Sequence, residues 1–338
     1  MALSGENYQK PEEMLRDADI AMYRAKAAGK ACYQTFDRTM HEQANSRLQM
    51  EIEMRRGIES GEFIVYYQPI VNLETDRIIG FESLVRWNHP ERGVVSPVEF
   101  IPLAEETGLI VPLGLRILRE SCRQMREWQS LTSSLSELTI SVNLSCKQFS
   151  QPDLVEQVAG VLAKTNLDPR CLKLEITESH VMENSQAAVA MMNRLVSLGV
   201  ELSVELSLDD FGTGYSSMSY LHRLPANFLK IDRSFVSRMI ENDENYNIVH
   251  TIIRLAQNLK MKVIAEGIET AEQLSQLKKL GCDCGQGYLL SKPLTAEAAG
   301  ALLDSREGSP YWQAFNPAGN NAVTKCKVEV SYISDLNP

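Results

Sequence analysis

Acidic and amide side chains recur near the ends of short β-prone runs in this sequence: Glu82, Asn143, Glu175 with Glu178, Asp209 with Asp210, Lys230 with Asp232, and Glu266 with Glu269. Strand alternation sorts their faces. In 228–232, Phe228, Lys230 and Asp232 share one face, while Leu229 and Ile231 share the other and would pack under helices. The same split sets Ser141, Asn143 and Ser145 against Ile140, Val142 and Leu144, and Glu175 against Leu174 and Ile176; Glu82 shares its face with Leu84 and Arg86. Converging carboxylates repel one another unless cations sit among them. Oxygen donors without thiolate or imidazole point to Mg²⁺ or Mn²⁺. Two such ions about 4 Å apart would activate water and stabilise the attacking and leaving oxygens at a phosphorus centre. A lysine among them could orient or deprotonate that water, if neighbouring cations lower its pKa. Any one of these acids reads equally well as a solvated loop charge or a helix cap; the set at successive strand ends does not.

These groups need a scaffold that brings separate strand ends together. Residues 63–314 alternate β-prone runs (64–71, 78–87, 138–144, 172–177, 201–209, 228–231, 262–265, 283–289) with amphipathic helical stretches (113–129, 154–165, 187–198, 246–259, 271–280). Eight strands with intervening helices over roughly 250 residues predict an α/β protein with a (β/α)8 TIM-like barrel, whose C-terminal strand ends form one shared rim. Only Glu74-Thr75-Asp76 separates the first two runs, so the first strand should lie antiparallel to the second.

Upstream, Leu15, Ala18, Met22 and Ala25 recur at helical spacing, Ala28-Gly29-Lys30 stops the helix, and a β-prone run follows at 32–36. One helix and one strand bury no core alone, so residues 1–38 are expected to be a short N-terminal helical appendage or part of something larger. Residues 39–62 are charged and helix-forming, with Leu48, Ile52 and Ile58 on a loose apolar stripe, and read as a linker helix. Residues 315–338, rich in Asn near their start, read as a tail.

The whole-chain composition narrows the partners. The chain has 338 residues, 44% of them hydrophobic and 23% charged, enough for one large barrel plus an appendage. Its apolar runs fall short of the ~18 residues needed to span a bilayer, and residues 1–10 lack the basic start and apolar core of a signal peptide, so we expect a cytoplasmic protein without membrane insertion. The seven cysteines are scattered without a CxxC pair, which fits reduced thiols; Cys282 and Cys284, one residue apart, suit neither a zinc knuckle nor a redox dithiol. The five histidines show no ligand spacing. A net charge of −10 disfavours general nucleic-acid binding, which depends on clustered Lys and Arg. An anionic substrate would need divalent cations as a local remedy.

Eight ordered segments carry a family resemblance: Gln68-Pro69-Ile70, Glu82-Ser83-Leu84-Val85-Arg86-Trp87, Ser141-Val142-Asn143-Leu144-Ser145, Glu175-Ile176-Thr177-Glu178, Asp209-Asp210-Phe211-Gly212-Thr213-Gly214-Tyr215-Ser216-Ser217, Lys230-Ile231-Asp232, Ala265-Glu266-Gly267-Ile268-Glu269 and Gly285-Gln286-Gly287-Tyr288. Together they resemble the signatures of EAL-domain phosphodiesterases, which cleave cyclic di-GMP to linear pGpG. The naming motif reads Glu-Ser-Leu instead of Glu-Ala-Leu, but its acid is present. The resemblance implies metal ligation by Glu82, Asn143, Glu175, Asp209, Asp210 and Glu266. It implies that Lys230 and Gln286 position the attacking water, with Lys230 as general base, and that Glu178 holds the 210–217 loop. It further implies dinucleotide contacts from Gln68, Leu84, Arg86 and Asp232, and a homodimer formed near that loop. A catalytically silent cyclic di-GMP receptor is the alternative. Residues 18–26 with Gly29-Lys30 are similar to the closing helix of a GGDEF diguanylate cyclase domain; the GGDEF signature is absent, so we expect a truncated remnant without cyclase activity.

One departure concerns the strand that leads to Asp209. Val200 to Ser203 reads Val-Glu-Leu-Ser, and Val204 to Ser207 repeats it, which makes the run four residues longer than the family pattern. An even insertion preserves alternation and puts Glu205 inside the barrel, where a carboxylate is costly. The expectation is a bulge at the N-terminal side that leaves the rim intact.

Overall fold

The computed structural model describes residues 10–27, 32–131, 135–177, 185–206, 222–240 and 243–304. Two compact units emerge, one drawn from Met1–Phe63 and Trp87–Ile110 and the other from Ile64–Arg86 and Val111–Pro338.

The first unit contains α1 (Pro11–Ala27) and α2 (Arg38–Ser60). The Asp37 side chain caps α2 by accepting from the Met40 amide at 3.0 Å, and Gly61, at φ 85°, closes it with an amide bond to the Gly57 carbonyl. The run expected to be helical is thus a helix. The run at 32–36 is not a strand: residues 32–37 have no regular structure. Among the described residues no ladder meets them, and Phe36 is instead buried with Ala21 and Met40. The expected stop at 28–30 lies outside the described residues.

The second unit carries a closed barrel, and the chain passes back into the first unit over Trp87–Ile110. In chain order, β1 (Phe63–Asn72), β2 (Arg77–His89), β3 (Gly93–Val95), α3 (Pro97–Thr107), α4 (Ile110–Leu131), β4 (Thr139–Asn143), α5 (Cys146–Phe149), α6 (Leu154–Thr165), β5 (Leu172–Thr177), α7 (Ser185–Ser197), β6 (Glu201–Leu206), β7 (Phe228–Ile231), α8 (Arg233–Arg238), α9 (Asp243–Asn258), β8 (Lys262–Ala265), α10 (Ala271–Leu280), β9 (Cys284–Gly285) and α11 (Ala296–Asp304) follow one another. The sheet runs β1-β9-β8-β7-β6-β5-β4-β2 and closes through β1–β2. Pairing is parallel from β2 round to β9, while β1 is antiparallel to β9, so among the eight barrel strands the first runs against the others; β3, outside the ring, pairs antiparallel with β2. This is the expected TIM-like architecture with its inverted first strand. Every residue of β7 is buried, as parallel strands covered on both faces require. Leu229 and Ile231 face the helices, while the interior floor is closed by Ile70, Phe228, Ile264 and Cys284.

Two strand expectations need correction. The run at 283–289 pairs as a strand only over Cys284–Gly285; beyond it the Leu289 amide bonds to the Ile268 carbonyl and the chain turns. The short β3, paired to β2 from Trp87↔Val95 to His89↔Gly93, went unforeseen because three residues carry no readable period.

The repeat does not bulge at its N-terminal side. β6 pairs with β5 without interruption from Lys173↔Glu201 to Thr177↔Glu205, and with β7 from Ser203↔Phe228 to Leu206↔Ile231. A bulge would leave ladder amides unpaired, and the first copy of the repeat fits the ladder as it stands. Glu205, from the second copy, therefore lies opposite Lys230. Asp209 and Asp210 lie outside the described residues.

Candidate active site

Six strands deliver residues that lie on them or just beyond their ends to one place. Register aligns Glu82 on β2 with Ser141 on β4, and Asn143 with Glu175 on β5. Lys230 rises from β7, Glu266 follows β8 with its amide bonded to the Ile231 carbonyl, and Gln286 follows β9 with its amide bonded to the Ala265 carbonyl. Glu82 accepts from Asn143 Nδ2 at 2.7 Å through one oxygen and from Gln286 Nε2 at 2.5 Å through the other. Lys230 Nζ lies 3.3 Å from Glu82, 2.5 Å from Glu175, and in contact with Glu266. Glu82, Glu175, Lys230 and Gln286 are all buried.

This geometry sets the charges. Lys230 is buried, which alone would discharge it, yet Glu175, Glu266 and Glu82 outweigh burial and hold its pKa well above the usual lysine value. In this arrangement it is an ammonium; acting as a base would require cations to take over its carboxylate partners. Burial pushes Glu175 up to about 7 although Lys230 stands beside it, because the nearby Glu82 charge adds to burial. Glu266 is pushed up to about 8 by burial, with Glu82, Glu205 and Glu175 adding to it. Burial acts on Glu82 too, but Lys230 and the donors Gln286 and Asn143 bring it below the ordinary glutamate value. One ammonium thus serves more carboxylates than it can neutralise.

The carboxylates form two groups whose oxygens lie within 4.8 Å of one another: Glu82, Glu175 and Glu266, and Glu205, Asp232 and Glu266. Glu266 is common to both. Among the described residues, Glu175 Oε1 and Gln286 Oε1 are buried acceptors with no hydrogen-bond donor. Hard oxygen donors, excess negative charge and orphaned acceptors together fit divalent cations of the Mg²⁺ or Mn²⁺ kind. Such cations would be held by Glu82, Glu175 and Glu266, with Asn143 beside them.

The remaining predicted residues divide. Asp232 reaches the cluster but also caps α8, accepting from the Ser234 amide at 2.8 Å and from its hydroxyl. Gln68 donates to the Ser291 carbonyl at 3.0 Å, and Arg86 donates to the Val85 carbonyl at 2.8 Å while lying over the Tyr66 ring. Both are thus tied to the rim. Leu84 is half-buried on β2. Glu178, Asp209, Asp210 and the 210–217 loop lie outside the described residues. Sequence reading did not place Glu205 at the site, although the Val-Glu-Leu-Ser repeat was the signal that could have found it. Glu269, considered among the acids, instead pairs with Arg233 at 2.9 Å on the surface.

Gly287 fixes how Gln286 arrives. A Cβ there would sit 2.2 Å from both the amide nitrogen and the carbonyl oxygen of Ile268, whose amide bonds to the Gln286 carbonyl. Gly287→Ala is expected to cost about 1–3 kcal/mol through overpacking against backbone and to loosen Gln286 from Glu82. Urea unfolding alongside kcat checks this; unchanged values in both would contradict it.

The comparisons with known proteins converge. A family model described as the EAL domain matches residues 51–293. The bifunctional diguanylate cyclase/cyclic di-GMP phosphodiesterase MucR of Pseudomonas aeruginosa is 42% identical over 289 residues, 86% of this chain and 41% of the relative. The cyclic di-GMP phosphodiesterase NbdA of the same species is 39% identical over 309 residues, 91% of this chain and 39% of the relative. The chain therefore spans about two fifths of these relatives' length. Among solved structures, the PaMucR phosphodiesterase in complex with c-di-GMP superposes with a TM-score of 0.70 at 41% identity, covering 74% of this chain and 99% of that one. The EAL domain of Mycobacterium smegmatis DcpA gives 0.60 at 32% identity, covering 72% and 98%.

Proposed function

This chain belongs to the EAL-domain family, and from that membership we propose that it is a metal-dependent phosphodiesterase that opens one phosphodiester bond of cyclic di-GMP to give linear pGpG. The observation that carries the reading is the pair of carboxylate groups joined at Glu266 around Lys230. Relatives named as cyclic di-GMP phosphodiesterases, and a similar solved chain in complex with c-di-GMP, support the substrate.

Mg²⁺ or Mn²⁺ bound there, as two ions, would supply Lewis-acid charge at a phosphoryl oxygen and lower the pKa of a water. Glu82, Asn143, Glu175 and Glu266 would hold the ions, and Asp209 and Asp210 are proposed to join them. Asn143 and Gln286 clamp the two oxygens of Glu82 and so fix its orientation. Lys230 gathers the carboxylates and presents positive charge to the phosphate. It would serve as a base for the attacking water only if bound cations took over the carboxylates that hold its proton. The orphaned oxygen of Gln286 can accept from that water. Glu178 is proposed to hold the 210–217 loop; Gln68, Leu84, Arg86 and Asp232 are proposed to meet the dinucleotide, Arg86 at a phosphate and Asp232 at a guanine edge.

We assign residues 1–38 to a remnant of a GGDEF-like domain, 39–62 to a linker helix, 63–314 to the barrel and 315–338 to a tail, with homodimerisation near residues 210–217. No helix among the described residues is long and apolar enough to cross a membrane. A cytoplasmic location is supported by the cysteines, which form no disulfide among the described residues.

Chromatographic assay of purified protein tests the reading. With Mg²⁺ or Mn²⁺ it is expected to convert cyclic di-GMP to pGpG, with chelation stopping turnover and readdition restoring it. Binding without turnover would identify a silent receptor and overturn the proposal. Sedimentation velocity tests the dimer, and a monomer at working concentration would exclude it.

A further inference from the structure

We propose that Glu205 is a cation ligand of this site, recruited by the Val-Glu-Leu-Ser repeat. This rests on the metal-dependent reading above and assigns it a residue.

The argument begins with register. Two four-residue copies follow one another, so a strand built from either presents the same alternation of acid, apolar and serine side chains. In the structure the first copy and the start of the second occupy the ladder, with Ser203 opposite Phe228 and Glu205 opposite Lys230. Glu205 consequently stands on the same inward face as Glu175 and Lys230, at the level where β5 ends in Thr177.

Three observations give this placement chemical meaning. The Glu205 carboxylate lies within 4.8 Å of ligand oxygens on Asp232 and Glu266, and Glu266 also belongs to the deeper group with Glu82 and Glu175. Glu205 would complete a second three-carboxylate site that shares one ligand with the first. Among the described residues, no hydrogen bond or ion pair engages the Glu205 side chain, although Asp232 is held by Ser234 and Glu266 by Lys230. Beside the deeper group, Gln286 Oε1 is buried without a donor among the described residues, only 4% of the residue being exposed. Glu205 is half-buried on that inward face, and a structural carboxylate so placed would be expected to hold a partner. An inward acid without such a partner, joined through Glu266 to a group with an orphaned acceptor, is placed for a cation.

Glu201 supplies an internal control. It is the equivalent acid of the first copy, but it enters at the other end of β6 opposite Lys173 and belongs to neither carboxylate group.

Manganese binding tests the proposal without requiring turnover. Mn²⁺ alone is titrated into metal-free protein, with free ion read by electron paramagnetic resonance and heat by calorimetry. Wild type is expected to bind two ions; Glu205→Gln should lose one or bind it at least about 10-fold more weakly, and Glu201→Gln should match wild type. Two wild-type-like ions in Glu205→Gln would overturn this inference and leave the phosphodiesterase reading standing, whereas wild type binding no Mn²⁺ would remove both. Thermal unfolding guards against a folding artefact. In metal-free buffer Glu205→Gln should melt at or above the wild-type midpoint, because it removes a charge from a crowded acidic set. A large drop in both Glu205→Gln and Glu205→Ala would make the residue structural and sink the assignment.

Discussion

Lys230→Ala is expected to lower kcat about 10³-fold, the scale reached when a charged group that stabilises a transition state is lost, and to destabilise the metal-free protein by about 3–5 kcal/mol. The two effects share a cause. Lys230 Nζ meets Glu82, Glu175 and Glu266 together, so its removal leaves those carboxylates facing one another in a buried site. Their protonation then governs the cost. Glu266 keeps its proton to about pH 8 in the fold but only to its ordinary value of 4.5 when unfolded. Between those values the folded state binds more protons, so metal-free stability falls as pH rises through that window. The Lys230→Ala penalty should accordingly be small near pH 5 and grow toward pH 8. Mn²⁺ at pH 8 should restore stability while kcat stays low, since the ions can neutralise the acids but cannot replace the lysine at the phosphate. Urea unfolding at the two pH values, with and without Mn²⁺, reads all of this. Wild-type turnover by the variant would remove Lys230 from the mechanism.

Much of this site could be read from strand alternation. Leu229 and Ile231 require cover and Lys230 does not, so the face of β7 was legible from four residues. The inverted first strand was legible because Glu74-Thr75-Asp76 is too short for a crossover. What escaped depended on neighbours. A repeat of even length satisfies the two-residue period in either register, so only the ladders from β5 and β7 could select Glu205. The run at 32–36 has strand composition but meets no ladder among the described residues, and Phe36 instead packs with Ala21 and Met40. The charge of Lys230 also escaped: strand alternation offered a lysine whose pKa neighbouring cations could lower, whereas the carboxylates around it hold it well above the usual value. Gln68 and Arg86 lie on predicted strands, but their hydrogen bonds to Ser291 and Val85 depend on side-chain packing that no period encodes.

Glu82→Gln should be nearly as damaging to catalysis, for a different reason. Both Glu82 oxygens accept from amide donors, Asn143 on one side and Gln286 on the other, and a glutamine can accept on one side only. The variant therefore sets two donors against each other in a buried site, at a cost of about 1–3 kcal/mol. It also removes one carboxylate from the deeper cation group. Turnover is expected to fall about 10³-fold, with Mn²⁺ affinity falling in parallel, a coupling that a purely structural defect would not produce. Combined with Lys230→Ala, the loss should fall well short of the product of the two single losses, because both side chains act through one cluster. Glu269→Gln provides the contrast: its carboxylate pairs with exposed Arg233, and such pairs contribute little, about 0–1 kcal/mol. If Glu82→Gln and Glu269→Gln lowered kcat equally, the burial and clamping of Glu82 would have no catalytic meaning, and the rim would be acting only through its net charge.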